Sequence, residues 1–158
     1  MAVQPKHEAA VLTEVMLAVF RVNGRLLERG DELVYPLDLT SARWQVLGAV
    51  ALAERPLTVP QIAEAMGITR QGAQKQVNLL EAGRFFARVP NPRHQRSPLY
   101  TLTDLGKRRF ANAMTLEAAW ANSLATGLSL KQLKNALKTL NAIYERLDSP
   151  LPRKGVRP

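Results

Sequence analysis

The stretch TVPQIAEAMGITRQGAQKQVNLLEAG, Thr58 to Gly83, decides the fold. Thr58 stands three residues before Gln61, the spacing of a capping box. The hydroxyl can accept the backbone N–H of Gln61 while the Gln61 side chain reaches back to the Thr58 N–H. A short helix follows, with Ile62, Ala63 and Met66 as its apolar face. Gly67 permits a tight turn that a β-branched residue would resist. Thr69 can cap a second helix, Arg70 to Ala82, closed by Gly83. In that helix Ala73, Val77 and Leu80 form the apolar stripe, and Arg70, Gln71, Gln74, Lys75 and Asn78 point elsewhere. A short helix, a glycine turn and a second helix with a polar outer face make the helix-turn-helix pattern.

The residues after Gly83 read as a two-stranded wing. Phe85 to Val89 is a plausible strand. Pro90, Asn91 and Pro92 open a turn-rich loop whose tip is Arg93, His94, Gln95 and Arg96. Leu99 to Thr101 returns, and Pro98 fits only an edge position or a strand start.

Helices flank this block. Residues 8–32 carry Leu12, Val15, Val19, Val22 and Leu26 at helical spacing with no proline. Pro36 is expected to end an extended stretch after them. Thr40 is an N-cap candidate for a helix with Trp44, Leu47 and Ala51 on one face, broken at Arg55–Pro56. Thr103 caps a long helix to about Gly127 that contains Phe110, Trp120 and Leu124. Ser129 with Gln132 is a second capping box. Leu130, Leu133, Leu137, Leu140, Tyr144 and Leu147 then repeat at alternating spacings of three and four, a coiled-coil-like seam. The tail, 150–158, reads as disordered. The fold class is therefore mainly α with a small β-wing.

Composition narrows the function. The 158 residues are 46% apolar and 22% charged, as in a soluble globular protein rather than a disordered one. No apolar run approaches the ~18 residues of a membrane span, and the first ten residues lack the pattern of a secretory signal. A cytoplasmic location is expected. The absence of cysteine excludes disulfide scaffolds, zinc ribbons, iron–sulfur clusters and thiol switches. His7 and His94 are far apart, so no metal site is expected. No nucleophile–base set and no phosphate loop appear, so the chain does not read as an enzyme.

The net charge is +9, and residues 84–110 alone hold +6: Arg84, Arg88, Arg93, Arg96, Lys107, Arg108 and Arg109 against Asp104. A one-signed segment suggests an anionic partner, most simply nucleic acid. A membrane surface would call for a basic amphipathic helix, whereas this segment reads as a hairpin. Lys107, Arg108 and Arg109 are expected to face outward.

In combination, these pieces resemble the MarR family of winged-helix transcriptional regulators. The matching residues are Leu39-Thr40 with Trp44 and Leu47; Leu57-Thr58; Ile62 to Gln71; Val77, Leu79-Leu80-Glu81 and Gly83; and Leu102-Thr103-Asp104 with Gly106. The resemblance is detailed from about Leu39 to Gly106 and holds in element order over residues 8–148. It departs at the wing, where the family usually carries Asp-x-Arg and this chain has His94-Gln95-Arg96. The arginine matches; its carboxylate partner is missing.

The resemblance implies a homodimer built on the terminal helices: residues 8–32, with 107–148 as the C-terminal dimerisation helices, around a DNA-binding domain at 39–106. Two recognition helices ~34–36 Å apart would meet successive major grooves of double-stranded DNA at a near-palindromic operator. It implies that Arg70, Gln71, Gln74 and Lys75 face base edges, since arginine and lysine suit guanine and glutamine suits adenine. Thr69 at the helix start suits a phosphate, as do Arg84 and Arg88. Arg93 and Arg96 suit the minor groove, whose negative potential draws arginine. It further implies a small aromatic or phenolic effector, for which Phe20, Tyr35, Arg43 and Trp44 are the candidate lining. No other cofactor is expected. A repressor is the leading expectation. The competing function is a winged-helix protein-interaction or architectural module with weak or non-specific DNA binding, and each candidate residue has a plainer role as solvated surface or core packing.

Overall fold

The computed structural model describes residues 6–150. The elements are α1 (His7–Val34), a 3-10 turn (Tyr35–Leu37), α2 (Ser41–Ala53), α3 (Val59–Met66), α4 (Arg70–Ala82), β1 (Phe86–Val89), β2 (Leu99–Leu102), α5 (Asp104–Ala125) and α6 (Leu130–Leu147). The protein is mainly helical with one two-stranded antiparallel wing, as the sequence implies. It divides into two compact units, one ending at Ala118 and the other beginning at Ala119. The expectation of a disordered tail falls, from residue 151 onward, outside the described residues.

The core of the first unit is built on α2. Val46, Leu47, Gly48, Ala49 and Val50 are buried in succession. The sequence suggests a helix with one apolar face, but the middle of α2 is buried all round. It packs against α1, α3, α4 and β2. Val34, Leu39, Ile62, Val77, Leu80 and Tyr100 are among the largest fully buried side chains beside them. Each such aliphatic side chain contributes roughly 1.5–3 kcal/mol through loss of apolar surface to water.

Local chemistry sets the boundaries of these elements. Thr40 Oγ1 accepts the Arg43 N–H at 3.3 Å, and Thr69 Oγ1 accepts the Gly72 N–H at 3.0 Å. Gln61 Oε1 accepts both the backbone N–H and the hydroxyl of Thr58, at 2.9 and 3.1 Å. Both arms of the Ser129–Gln132 box are formed. Gly67 takes φ +61°, the left-handed conformation its position demands. Between α1 and α2 the extended stretch expected before Pro36 is instead a 3-10 turn, with proline in its first turn. Proline's fixed φ suits a helical start as well as an extended one.

Two close approaches fix the remaining elements. A Cβ on Gly30 would collide with Ser41 Oγ, and the Ser41 hydroxyl donates to the Leu27 carbonyl at 2.7 Å. The Ser41 N–H donates to Asp31 Oδ1 at 2.6 Å, so α1 and α2 meet through a polar joint whose serine is buried. A Cβ on Gly106 would collide with the Phe85 carbonyl oxygen, so the start of α5 lies directly on the chain entering β1.

The wing pairs Phe86 with Leu102, Ala87 with Thr101, Arg88 with Tyr100 and Val89 with Leu99. Leu57 and Tyr100 also exchange both backbone hydrogen bonds, at 3.0 and 2.8 Å. At Tyr100 β2 is therefore paired on both sides. Pro98 precedes β2, the strand-start position its missing N–H allows.

Candidate nucleic-acid interface

Helix α4 buries Ala73, Val77 and Leu80 completely. Three- and four-residue spacing puts those side chains on one face and leaves Arg70, Gln71, Gln74, Lys75 and Asn78 exposed. Gln74 is not free of internal contacts: its Nε2 donates to Asn78 Oδ1 at 2.7 Å, one turn along. Thr69 is exposed at the helix start, its hydroxyl engaged as the cap. Gly72 lies close to that cap, since a Cβ there would stand 3.1 Å from Thr69 Oγ1.

At the far end of α4, Gly83 takes φ −76° and Arg84 takes φ +61°. The glycine here answers to packing rather than to its own dihedral. A Cβ on Gly83 would stand 3.0 Å from the Phe85 ring and 3.3 Å from the Leu79 carbonyl oxygen. The left-handed residue is thus an arginine, a conformation that costs a side chain of the order of 1 kcal/mol. It is held by Thr103, whose hydroxyl donates to the Arg84 carbonyl at 2.6 Å.

The wing loop between β1 and β2 exposes Arg93, His94, Gln95 and Arg96. Arg84, Arg93, Arg96 and Arg108 have no acidic partner among the described residues. The other three cations of the basic segment are paired. Arg88 meets Glu81 at 2.8 Å and lies 5.8 Å from the centre of the Tyr100 ring. The hydrogen bond to Glu81, then Tyr100 and the Glu81 charge, raise the Arg88 pKa above the ordinary arginine value. Lys107 lies 3.6 Å from Asp104.

Arg109 corrects the expectation that it faces outward. Its side chain is only 30% exposed, its guanidinium meets Asp38 at 3.3 Å, and its Nε is buried without a hydrogen-bond partner. Glu81 and Asp38 lie outside residues 84–110, so the segment's charge is less one-sided in space than along the chain.

The four candidate effector residues belong to the first unit. Phe20 and Tyr35 stand 73% and 79% exposed, while Arg43 and Trp44 are half-buried and Trp44 packs against the core. None of the four lines the cleft of about 380 Å³ bounded by Val50, Arg55, Leu102, Lys107 and Phe110. Sequence reasoning missed Glu81 and Tyr100, which hold Arg88. It read Asn91 only as part of a turn, a signal that its place between two prolines did carry.

A family model described as the MarR family matches residues 37–97, from the turn after α1 through the wing loop. Uncharacterized proteins of Mycobacterium tuberculosis and Mycobacterium bovis are each 38% identical over 142 residues, covering 89% of this chain and 97% of theirs. The chain belongs to the MarR family. Solved structures agree in fold. A MarR-family transcriptional regulator from Rhodococcus superposes with a TM-score of 0.74 at 21% identity, covering 83% of this chain and 92% of that one. BldR from Sulfolobus solfataricus gives 0.78 at 17% identity, with 90% and 99% covered. The transcriptional repressor CouR, solved bound to a 23-mer DNA duplex, gives 0.69 at 27% identity, with 92% and 100% covered. MarR membership places the chain among transcription regulators and not among enzymes. No helix among the described residues is long and apolar enough to cross a membrane.

Proposed function

We propose that this MarR-family chain is a cytoplasmic, homodimeric, sequence-specific DNA-binding repressor. Its operator is a near-palindrome, and a small aromatic or phenolic effector releases it. One observation carries the reading: α4 exposes Arg70, Gln71, Gln74 and Lys75 opposite a fully buried stripe, in the same unit as a wing loop carrying Arg93 and Arg96. In this reading the four α4 side chains meet base edges in the major groove. Thr69 and Arg84 hold phosphates, and Arg93 and Arg96 enter the minor groove. Arg88 reaches a phosphate only by sharing its guanidinium with Glu81.

The dimer is supported by apolar faces that the single chain leaves uncovered. On α1, Leu17, Phe20 and Val22 are 52%, 73% and 55% exposed; on α6, Leu130, Leu137 and Leu147 are 67%, 60% and 72% exposed. Contiguous apolar surface of this kind marks an interaction face. Exposed Phe20 and Tyr35, with half-buried Arg43, offer aromatic and cationic surface to an anionic aromatic effector.

Selection of bound fragments from a random duplex pool at about 0.15 M salt, where counterion release still permits specific binding, tests the reading. A palindromic motif with half-sites one helical turn apart is expected. A second reading, an architectural or protein-interaction module, is favoured by the pairing of Arg88, Lys107 and Arg109 within the chain. It would give enrichment without a motif, or none.

A further inference from the structure

The wing loop, residues 90–98, has the sequence PNPRHQRSP and contains no carboxylate. Two exposed arginines and a histidine share its tip, so charge pairing within the loop cannot order it. Three of the four hydrogen bonds that shape it involve one residue, Asn91. Asn91 Oδ1 accepts the Arg93 N–H at 3.1 Å. Asn91 Nδ2 donates across the loop to the Ser97 carbonyl at 2.8 Å. The Asn91 carbonyl accepts the His94 N–H at 3.2 Å, and the His94 carbonyl accepts the Ser97 N–H at 3.0 Å. The Asn91 side chain is half-buried, whereas residues 93–96 are exposed. Pro90, Pro92 and Pro98 limit φ at three further positions.

We propose that Asn91 is the positioning residue of the wing. Its amide group ties the backbone on both sides of Arg93-His94-Gln95-Arg96 and so holds the two arginines ordered before DNA arrives. The chemistry suits asparagine in particular. The task needs an acceptor and a donor on one short planar group, and aspartate, serine and alanine each lack at least one of them at that reach. Ordering the loop in advance removes part of the entropy lost on binding, and the gain appears as affinity without a contact between Asn91 and DNA. The inference rests on the DNA-binding reading for its consequence, but the loop order it asserts is a property of the free protein.

Two measurements on the full chain separate these. In the free protein, backbone order parameters of residues 93–97 are expected to fall in Asn91→Ala from near 0.85 toward about 0.6, with the rest of the wing unchanged. In duplex binding, Asn91→Ala is expected to weaken affinity by about five- to twentyfold, the effect of one to two modest hydrogen bonds and added loop entropy. In an Arg93→Ala/Arg96→Ala background the same change should cost less than about twofold, because Asn91 acts through those arginines. Asn91→Ser, which keeps a turn acceptor but cannot span to Ser97, should fall between and serves if the alanine variant fails to fold.

Unchanged order parameters overturn the proposal whether or not the protein binds DNA. So does an undiminished loss in the background lacking both arginines, which would mark Asn91 as merely structural. Absence of duplex binding by the wild-type chain overturns the functional reading instead, and the order parameters then decide Asn91 alone.

Discussion

Gln74 is the residue whose substitution separates reading a sequence from holding DNA. Its amide is exposed on α4 and hydrogen-bonded only to Asn78. Gln74→Ala should cost about 1–3 kcal/mol of discrimination at one base-pair position and leave non-specific affinity nearly intact. Competition titrations with operator and scrambled duplexes measure this, and equal loss on both would remove Gln74 from the reading surface. Arg96→Ala should act oppositely, weakening binding to every sequence and lowering the salt slope by about one. Gly106 belongs to the fold rather than to the interface. A methyl there meets the Phe85 carbonyl oxygen, which no rotamer change can move. Gly106→Ala should destabilise by about 2–3 kcal/mol, seen as a fall in Tm of roughly 10 °C.

Between elements, the pair joining α4 to β1 is the most informative. Glu81 sits on the helix and Arg88 on the strand, and the pair lies beside the Tyr100 ring. Glu81→Gln should release the guanidinium, steepen the salt dependence of DNA binding by about one unit, and strengthen binding to all sequences alike. An unchanged slope would mean that Arg88 serves only to brace the wing. This pair also shows where sequence reasoning stops. Caps at Thr40, Thr69 and Ser129, and the turn at Gly67, were legible because each depends on residues within four positions. Arg88 with Glu81, Arg109 with Asp38 and Leu57 with Tyr100 depend on how the chain returns upon itself, which no periodicity records. The burial of five successive residues of α2 was hidden for a related reason. Its continuous run of small and branched apolar residues fits one face as well as several.

For the whole molecule the decisive question is what covers the leucine seam. Leu133, Leu137, Leu140 and Tyr144 lie on α6 with 42%, 60%, 42% and 61% of their surfaces exposed. The seam itself was evident from spacing, but spacing does not say whether its partner is the same chain or another. Leu137→Glu with Leu140→Lys should convert a dimer to a monomer in sedimentation velocity. It should also abolish operator binding while leaving the far-ultraviolet helix signal largely intact, since neither side chain is buried within the single chain. A dimer that persists would place the association surface on α1 and α5 rather than on this seam.

The tie made by Asn91 has a consequence for the chemical lifetime of the protein. Asparagine ages when the backbone nitrogen of the following residue attacks its side-chain carbonyl and expels ammonia. Asn91 is followed by Pro92, which has no N–H to give. Asn23 is followed by Gly24, whose nitrogen is the least hindered of all, with open space where its Cβ would be. Prolonged storage at mildly alkaline pH should therefore leave Asn91 intact by peptide mass spectrometry, and Asn23 should age only where α1 opens, because the helix holds the Gly24 nitrogen away from the side chain. Ageing would then spare the wing, and a mark at Asn23 would report opening of α1.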